Sequence, residues 1–180
     1  MRLLFLLTLP AYGACAQPAQ IEIQAPYVRT PPEAVAVMLK LAAAGARDVV
    51  YDLGSGDGRI VIAAAREAGA RGVGIEIHPE RVTEARKKAA EAGVADRVEF
   101  RIGDVFETDL RNATVVTMFL LADLNRKLRP KLLNELRPGA RVLSYCFDMG
   151  DWKPDKTVDT GGCKIYLWTI PPRDPPPIPR

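Results

Sequence analysis

The chain has 180 residues, 48% of them hydrophobic and 26% charged, with a net charge of +3 and a pI near 8.8. That length suits one domain of roughly 150 residues with extensions, and such a composition builds a full core without a metal or disulfide staple. The charge is too mild to argue for nucleic acid, and a single histidine with three scattered cysteines offers no metal-ligand spacing.

Residues 1–16 read as a secretory leader. Arg2 gives the positive start, Leu3 to Leu9 a short apolar stretch, and Ala14-Cys15-Ala16 a small-x-small cleavage site. Acylation of Cys15 and an uncleaved amphiphilic N-terminus are the alternatives. Residues 17–29 form a linker, with Ile21 to Ile23 as a short edge strand. The domain proper spans residues 30–170. It opens on Thr30-Pro31-Pro32-Glu33, where Thr30 and Glu33 have capping-box spacing and Pro31 suits the first helical turn. The helix predicted there runs through Val35, Met38 and Leu39 to about Gly45. Tyr27 and Thr30, at its entrance, either cover a cofactor mouth or simply cap and staple the helix.

The stretch Val49 to Ile60 organises the rest. Val49 to Leu53 has the apolar, β-branched character of a strand covered on both faces. Gly54, Gly56 and Gly58 then remove side chains where the chain turns into an apolar helix. Dinucleotide folds use G-x-G-x-x-G, which leaves the helix N-terminus open to a pyrophosphate. Here the spacing is G-x-G-x-G, with Asp52 before it and Asp57 inside it. Two carboxylates repel a diphosphate and suit a ligand carrying an amino group and a sulfonium. Ser55 lies within the same turn.

Gly72 to Ile77 is the second predicted strand. Its Glu76 lies roughly twenty residues beyond the glycine turn, where a carboxylate accepts from both ribose hydroxyls. His78-Pro79 starts a helix with a buried stripe of Val82, Ala85 and Ala89. Arg97 to Ile102 is the third strand, followed by Gly103-Asp104-Val105. Open parallel sheets bind ligands beyond the carboxyl ends of their strands. Asp52, Glu76 and Asp104 therefore tip three successive strands around one nucleoside-shaped site. The plainer alternative for Asp104 is a turn-forming aspartate.

Ala113 to Phe119 is the fourth strand. A helical region follows with Leu124, Leu128, Leu132, Leu133 and Leu136 inward, and Pro130 predicts a break in it. Arg141 to Phe147 is the fifth strand. A polar loop with Trp152 leads to a closing antiparallel hairpin of Thr157-Val158 and Lys164 to Ile170. Residues 171–180 are a proline-rich tail that cannot pair in a sheet. The fold expected is α/β: a Rossmann-like doubly wound sheet, mostly parallel with an antiparallel closing hairpin, and helices on both faces.

The turn Asp52 to Gly58 resembles motif I of the seven-strand, class I S-adenosylmethionine-dependent methyltransferases. Tyr27-Val28-Arg29-Thr30-Pro31, Asp52 to Ile62, and Leu128-Arg129-Pro130-Lys131-Leu132 are similar to the mitochondrial lysine methyltransferases of the ATP synthase c subunit and the adenine nucleotide translocase, and to their bacterial relatives. The Tyr-x-x-Thr spacing also resembles the non-SET histone-lysine methyltransferases. The resemblance implies S-adenosylmethionine as cofactor, bound by Tyr27, Thr30, Asp52, Gly54, Ser55, Gly56, Asp57, Gly58, Glu76, Ile77, Asp104 and Val105. It implies a protein lysine as acceptor; read from the residues themselves, Phe119, Leu120, Leu121 and Trp152, with Asp123 nearby, form an apolar slot for the lysine stem, and Trp152 faces its cationic head. The family pattern has Tyr where this chain has Phe119, and His-Asp where it has Tyr145-Cys146, so no catalytic residue is assigned. Asp123 and Asp151 are the sequence's candidates for taking the amine's proton. Methylation of a small molecule, and cofactor binding without catalysis, are the rival readings.

The leader predicts export to the periplasm; the alternative is a domain held at the membrane and facing the cytoplasm, where the cofactor is made. Export would let Cys146 and Cys163 pair, although two buried thiols are the default expectation.

Overall fold

The computed structural model describes residues 27–173. The leader, the edge strand expected at 21–23 and the tail from residue 174 onward lie outside the described residues.

Among the described residues four helices and seven strands follow one another as α1 (Pro32–Leu41), β1 (Val49–Leu53), α2 (Arg59–Ala68), β2 (Arg71–Glu76), α3 (Pro79–Glu91), β3 (Val98–Ile102), β4 (Val115–Met118), α4 (Ala122–Glu135), β5 (Arg141–Tyr145), β6 (Lys156–Asp159) and β7 (Lys164–Thr169). All the strands join one sheet in the order β3-β2-β1-β4-β5-β7-β6. Strands β1 to β5 run parallel, and β7 enters antiparallel between β5 and β6. The expected Rossmann-like sheet with its closing hairpin is the fold observed.

Period-two alternation splits the strand residues between two cores. Val50, Phe100, Val115, Leu143 and Tyr145 pack under α1, α2 and α3. Tyr51, Leu53, Ile75, Val116, Met118 and Trp168 pack on the other face. Among the described residues α4 is the one helix on that second face, through Leu128 and Leu132; the loops carrying Leu110, Phe106 and Met149 complete it. The chain from β3 to β4 and the chain from β5 to β6 form no helix.

Three local expectations need correction. Thr30 does not cap α1: the N-cap is Pro31, without a side-chain bond. Thr30 is instead buried, and its carbonyl accepts from Arg59 Nη1 at 2.8 Å. Pro130 does not break α4, which is continuous through it. Pro130 lies on the exposed side, so the backbone carbonyl it frees reaches water, while Leu124, Leu128 and Leu132 anchor the buried side on both flanks. Strand β5 stops at Tyr145 rather than Phe147, because Cys146 takes a left-handed φ of 67°.

Candidate active site

The site lies where β1, β2 and β4 end. Asp52 faces the helix side of the sheet beside its register partners Gly74 and Thr117. It is 3% exposed and accepts from Thr117 Oγ1 at 2.8 Å. Burial pushes its pKa up to about 7; the nearby charges of Glu76 and Asp57 add to this, and the Thr117 bond opposes it.

The turn after Asp52 is closed by its own amides. Gly54 and Ser55 both donate to Ile75 O at 2.9 Å, Gly58 donates to Ser55 O, and Gly56 donates to Glu76 Oε2 at 2.9 Å. A pyrophosphate cradle needs such amides pointing outward. With four of them already engaged, the loop is no diphosphate site. Gly56 has φ 52°, and a Cβ there would meet Tyr27 Cε2 at 2.6 Å. Only glycine lets the Tyr27 ring lie against the turn. Arg81 sits over that ring, 4.1 Å from its centroid.

Glu76 is buried and accepts from Gly56 N and, at 3.0 Å, from His78 N. Arg81 Nη1 stands 3.7 Å from Oε1, and Oε2 keeps a second lone pair for a hydroxyl. Ile77 and Ile102 stand beyond it, 60% and 55% exposed. Two exposed branched side chains beside an acid offer an apolar surface for a nucleobase next to a polar surface for its ribose. Ile102, the register partner of Glu76, was not named from sequence. Its signal was its place as the last strand residue before Gly103-Asp104.

Asp104 serves the turn: its Oδ1 accepts from Phe106 N at 2.8 Å, and its other oxygen is exposed. Val105 packs on the α4 face of the sheet. Ser55 Oγ is buried with no hydrogen-bond partner, a polar atom left over inside the loop. With the closed amides, the paired acids and the exposed isoleucines, the described residues fit S-adenosylmethionine and not a dinucleotide.

Asp57 is the exception. It was expected to face the cationic ligand. Instead Arg59 bonds both of its oxygens, at 2.9 and 2.8 Å, and Lys88 reaches Oδ2 at 2.7 Å. Burial works against its charge, but the bonds from Arg59 and Lys88 win and hold its carboxyl well below the usual range. Asp57 therefore ties α2 to α3, and through Arg59 to Thr30, rather than meeting a ligand.

The expected acceptor residues separate. Leu120 packs on the glycine turn: a Cβ at Gly54 would meet its Cδ2 at 2.9 Å. Phe119 joins the helix-side core, beside Tyr145 and Phe147. Trp152 is on the opposite face, 5.6 Å from Trp168, and its carbonyl accepts from Trp168 Nε1. Trp152 is therefore not in one slot with Phe119. Asp123 and Asp151 are exposed and paired with Arg126 and Arg129, an arrangement that suits surface pairs rather than a proton acceptor.

The family model described as the ANTKMT methyltransferase domain matches residues 52–156. The chain is 45% identical over 150 residues to a protein-lysine N-methyltransferase of Saccharolobus islandicus (strain REY15A), a match covering 81% of this chain and 93% of that one. It is 37% identical over 124 residues to the Mus musculus lysine N-methyltransferase of the ATP synthase c subunit, covering 69% of this chain. This chain spans half the length of that mouse protein. Among solved structures, an RNA methyltransferase of Salinibacter ruber in complex with S-adenosyl-L-homocysteine superposes with a TM-score of 0.80 at 61% identity, covering 82% of this chain and 97% of that one.

Proposed function

The chain belongs to the ANTKMT methyltransferase family, and from that premise we propose that it transfers the methyl group of S-adenosylmethionine to lysine side chains of proteins. The observation that carries the cofactor is the pair of buried acids, Asp52 and Glu76, on either side of a turn whose amides are already engaged. The lysine acceptor rests on the names of the relatives, the Saccharolobus enzyme first, because nearly all of it is matched.

When bound, the cofactor supplies a methyl already activated by its sulfonium. The protein's task is to hold the partners in line and exclude water. Glu76 and the exposed Ile77 and Ile102 hold the nucleoside. Asp52 supplies negative charge to the cationic amino-acid end. Tyr27 and Thr30 close the turn from the N-terminal side. The acceptor nitrogen must be a free amine when it meets the methyl carbon, so its proton leaves to solvent before that bond forms. Asp123 and Asp151 are poor receivers for it, each being engaged by an arginine.

The Salinibacter relative, an RNA methyltransferase by name, favours a second reading, with RNA as acceptor. Incubating the protein with methyl-labelled cofactor and separated protein and RNA fractions distinguishes the two. The protein reading requires label that protease releases and ribonuclease does not. We further propose that the domain works in an oxidising compartment; the Cys146–Cys163 disulfide supports this, and it agrees with the leader expected at residues 1–16.

A further inference from the structure

The fifth strand ends in an unusual way, and the reason lies beside the site. Cys146 has φ 67°, and Phe147 N donates to Tyr145 O at 3.0 Å, which closes a γ-turn around Cys146. A non-glycine residue in this conformation is rare and strained, and persists only where its surroundings over-determine it. Here they do. Cys146 is bonded through sulfur to Cys163, and its N–H donates to Lys164 O at 2.8 Å. From the other face, the wholly buried Asn125 donates to Ser144 Oγ at 2.9 Å and to Phe147 O at 3.1 Å.

The turn brings three rings together. Phe119 meets Tyr145 edge-on at 4.9 Å and stacks with Phe147 at 6.2 Å. Phe119 and Phe147 are half-buried, so each keeps part of its ring in reach of solvent. Phe119 follows Thr117, which bonds Asp52, by two residues on the same face of the sheet. The rings therefore begin just beyond Asp52 and Thr117 on that face.

We infer that the aromatic corner of Phe119, Tyr145 and Phe147 receives the charged side-chain head of the acceptor, and that the Cys146 turn is the device that positions it. This rests on the lysine reading above. The π-faces of the rings draw a cation as it enters. They do so without a carboxylate, which would hold the ammonium protonated and keep its lone pair from the methyl group. The rings also favour the charged form, but by less than an ion pair with a buried carboxylate would, so the ammonium gives its proton to solvent more readily and frees the lone pair for the methyl carbon.

The test uses the full chain, with Phe119→Leu and Phe147→Leu as variants. Two competitive probes are compared: Nε-trimethyllysine amide and its uncharged tert-butyl isostere. The wild type should bind the charged probe ~10-fold more tightly, and each variant should lose that preference while its cofactor affinity stays within ~2-fold, the sign of an intact fold. A structural role alone would not create a charge preference. Equal binding of the two probes by the wild type, or an undiminished preference in both variants, overturns the assignment even where methyl-lysine is formed. If the wild type forms no methyl-lysine, the lysine reading fails and this one falls with it.

Discussion

Asp52 accepts a 2.8 Å hydrogen bond from Thr117 Oγ1 across the β1–β4 pair, and burial raises its pKa to about 7. A protonated Asp52 offers no charge to a cationic ligand. Cofactor affinity should therefore rise ~10-fold from pH 5.5 to pH 7, and Asp52→Asn should bind weakly with a flat profile. Calorimetric titration across that range decides it; a steep profile in Asp52→Asn would assign the dependence elsewhere.

The same shift acts on the ligand-free protein in the opposite sense. Between the ordinary value of 3.8 and about 7, the folded state holds a proton at Asp52 that the unfolded state has lost. This contribution to stability is fully present below 3.8 and is lost as pH rises to 7. Denaturant midpoints for wild type and Asp52→Asn should diverge with pH in that window, the wild type showing the steeper decline.

Asp57 behaves in the reverse manner. Its carboxyl is held well below the usual range, so its contribution is present above about 3.8 and is lost on acidification below it. Asp57→Asn should cost about 2–3 kcal/mol at pH 7. That is less than for a fully buried pair, because Lys88 is 37% exposed in its side chain. Urea denaturation at pH 7 measures it. Since Asp57 meets Arg59 and Lys88 rather than a ligand, cofactor affinity should fall far less than in Asp52→Asn.

Gly54 has φ 81°, and any Cβ there runs into Leu120. Gly54→Val should abolish cofactor binding, since the left-handed strain of ~1–2 kcal/mol and the displaced Leu120 both disturb the turn. The rest of the sheet should survive, as thermal unfolding followed by circular dichroism would register. Normal cofactor affinity in this variant would mean that the turn is not the binding element.

Cys146 and Cys163 close a loop with a sequence separation of 17. Replacing both with serine should remove ~3 kcal/mol by releasing that constraint on the unfolded chain. Thiol labelling of the native protein before and after reduction checks the bond itself; two free thiols without reductant would return the pair to the buried-thiol expectation.

Much of the fold could be read from the residues because period and punctuation agreed. Val49 to Leu53, the three glycines and the apolar start of α2 all point the same way, as do Pro79 and the stripe of Val82, Ala85 and Ala89. The place of Glu76 against the glycine turn was legible for the same reason, since it is an acid at a strand end at a known distance from that turn. What escaped depended on partners far along the chain. Asp57 looks like a ligand-facing acid until Lys88, 31 residues on, is seen to reach it. Trp152 looks like a neighbour of Phe119 until the sheet puts them on opposite faces. The γ-turn at Cys146 left no local signal, since it depends on a disulfide and a backbone bond to β7.

Asp52 and Glu76 are proposed to hold the cofactor from which a protein lysine takes its methyl group. The most direct measurement is acid hydrolysis of protein labelled by the purified chain with methyl-tritiated S-adenosylmethionine, followed by separation of the methylated amino acids. Label should co-migrate with methyl-lysine and be absent with Asp52→Asn. Label confined to nucleosides or small metabolites, or lysine label undiminished in that variant, would contradict it.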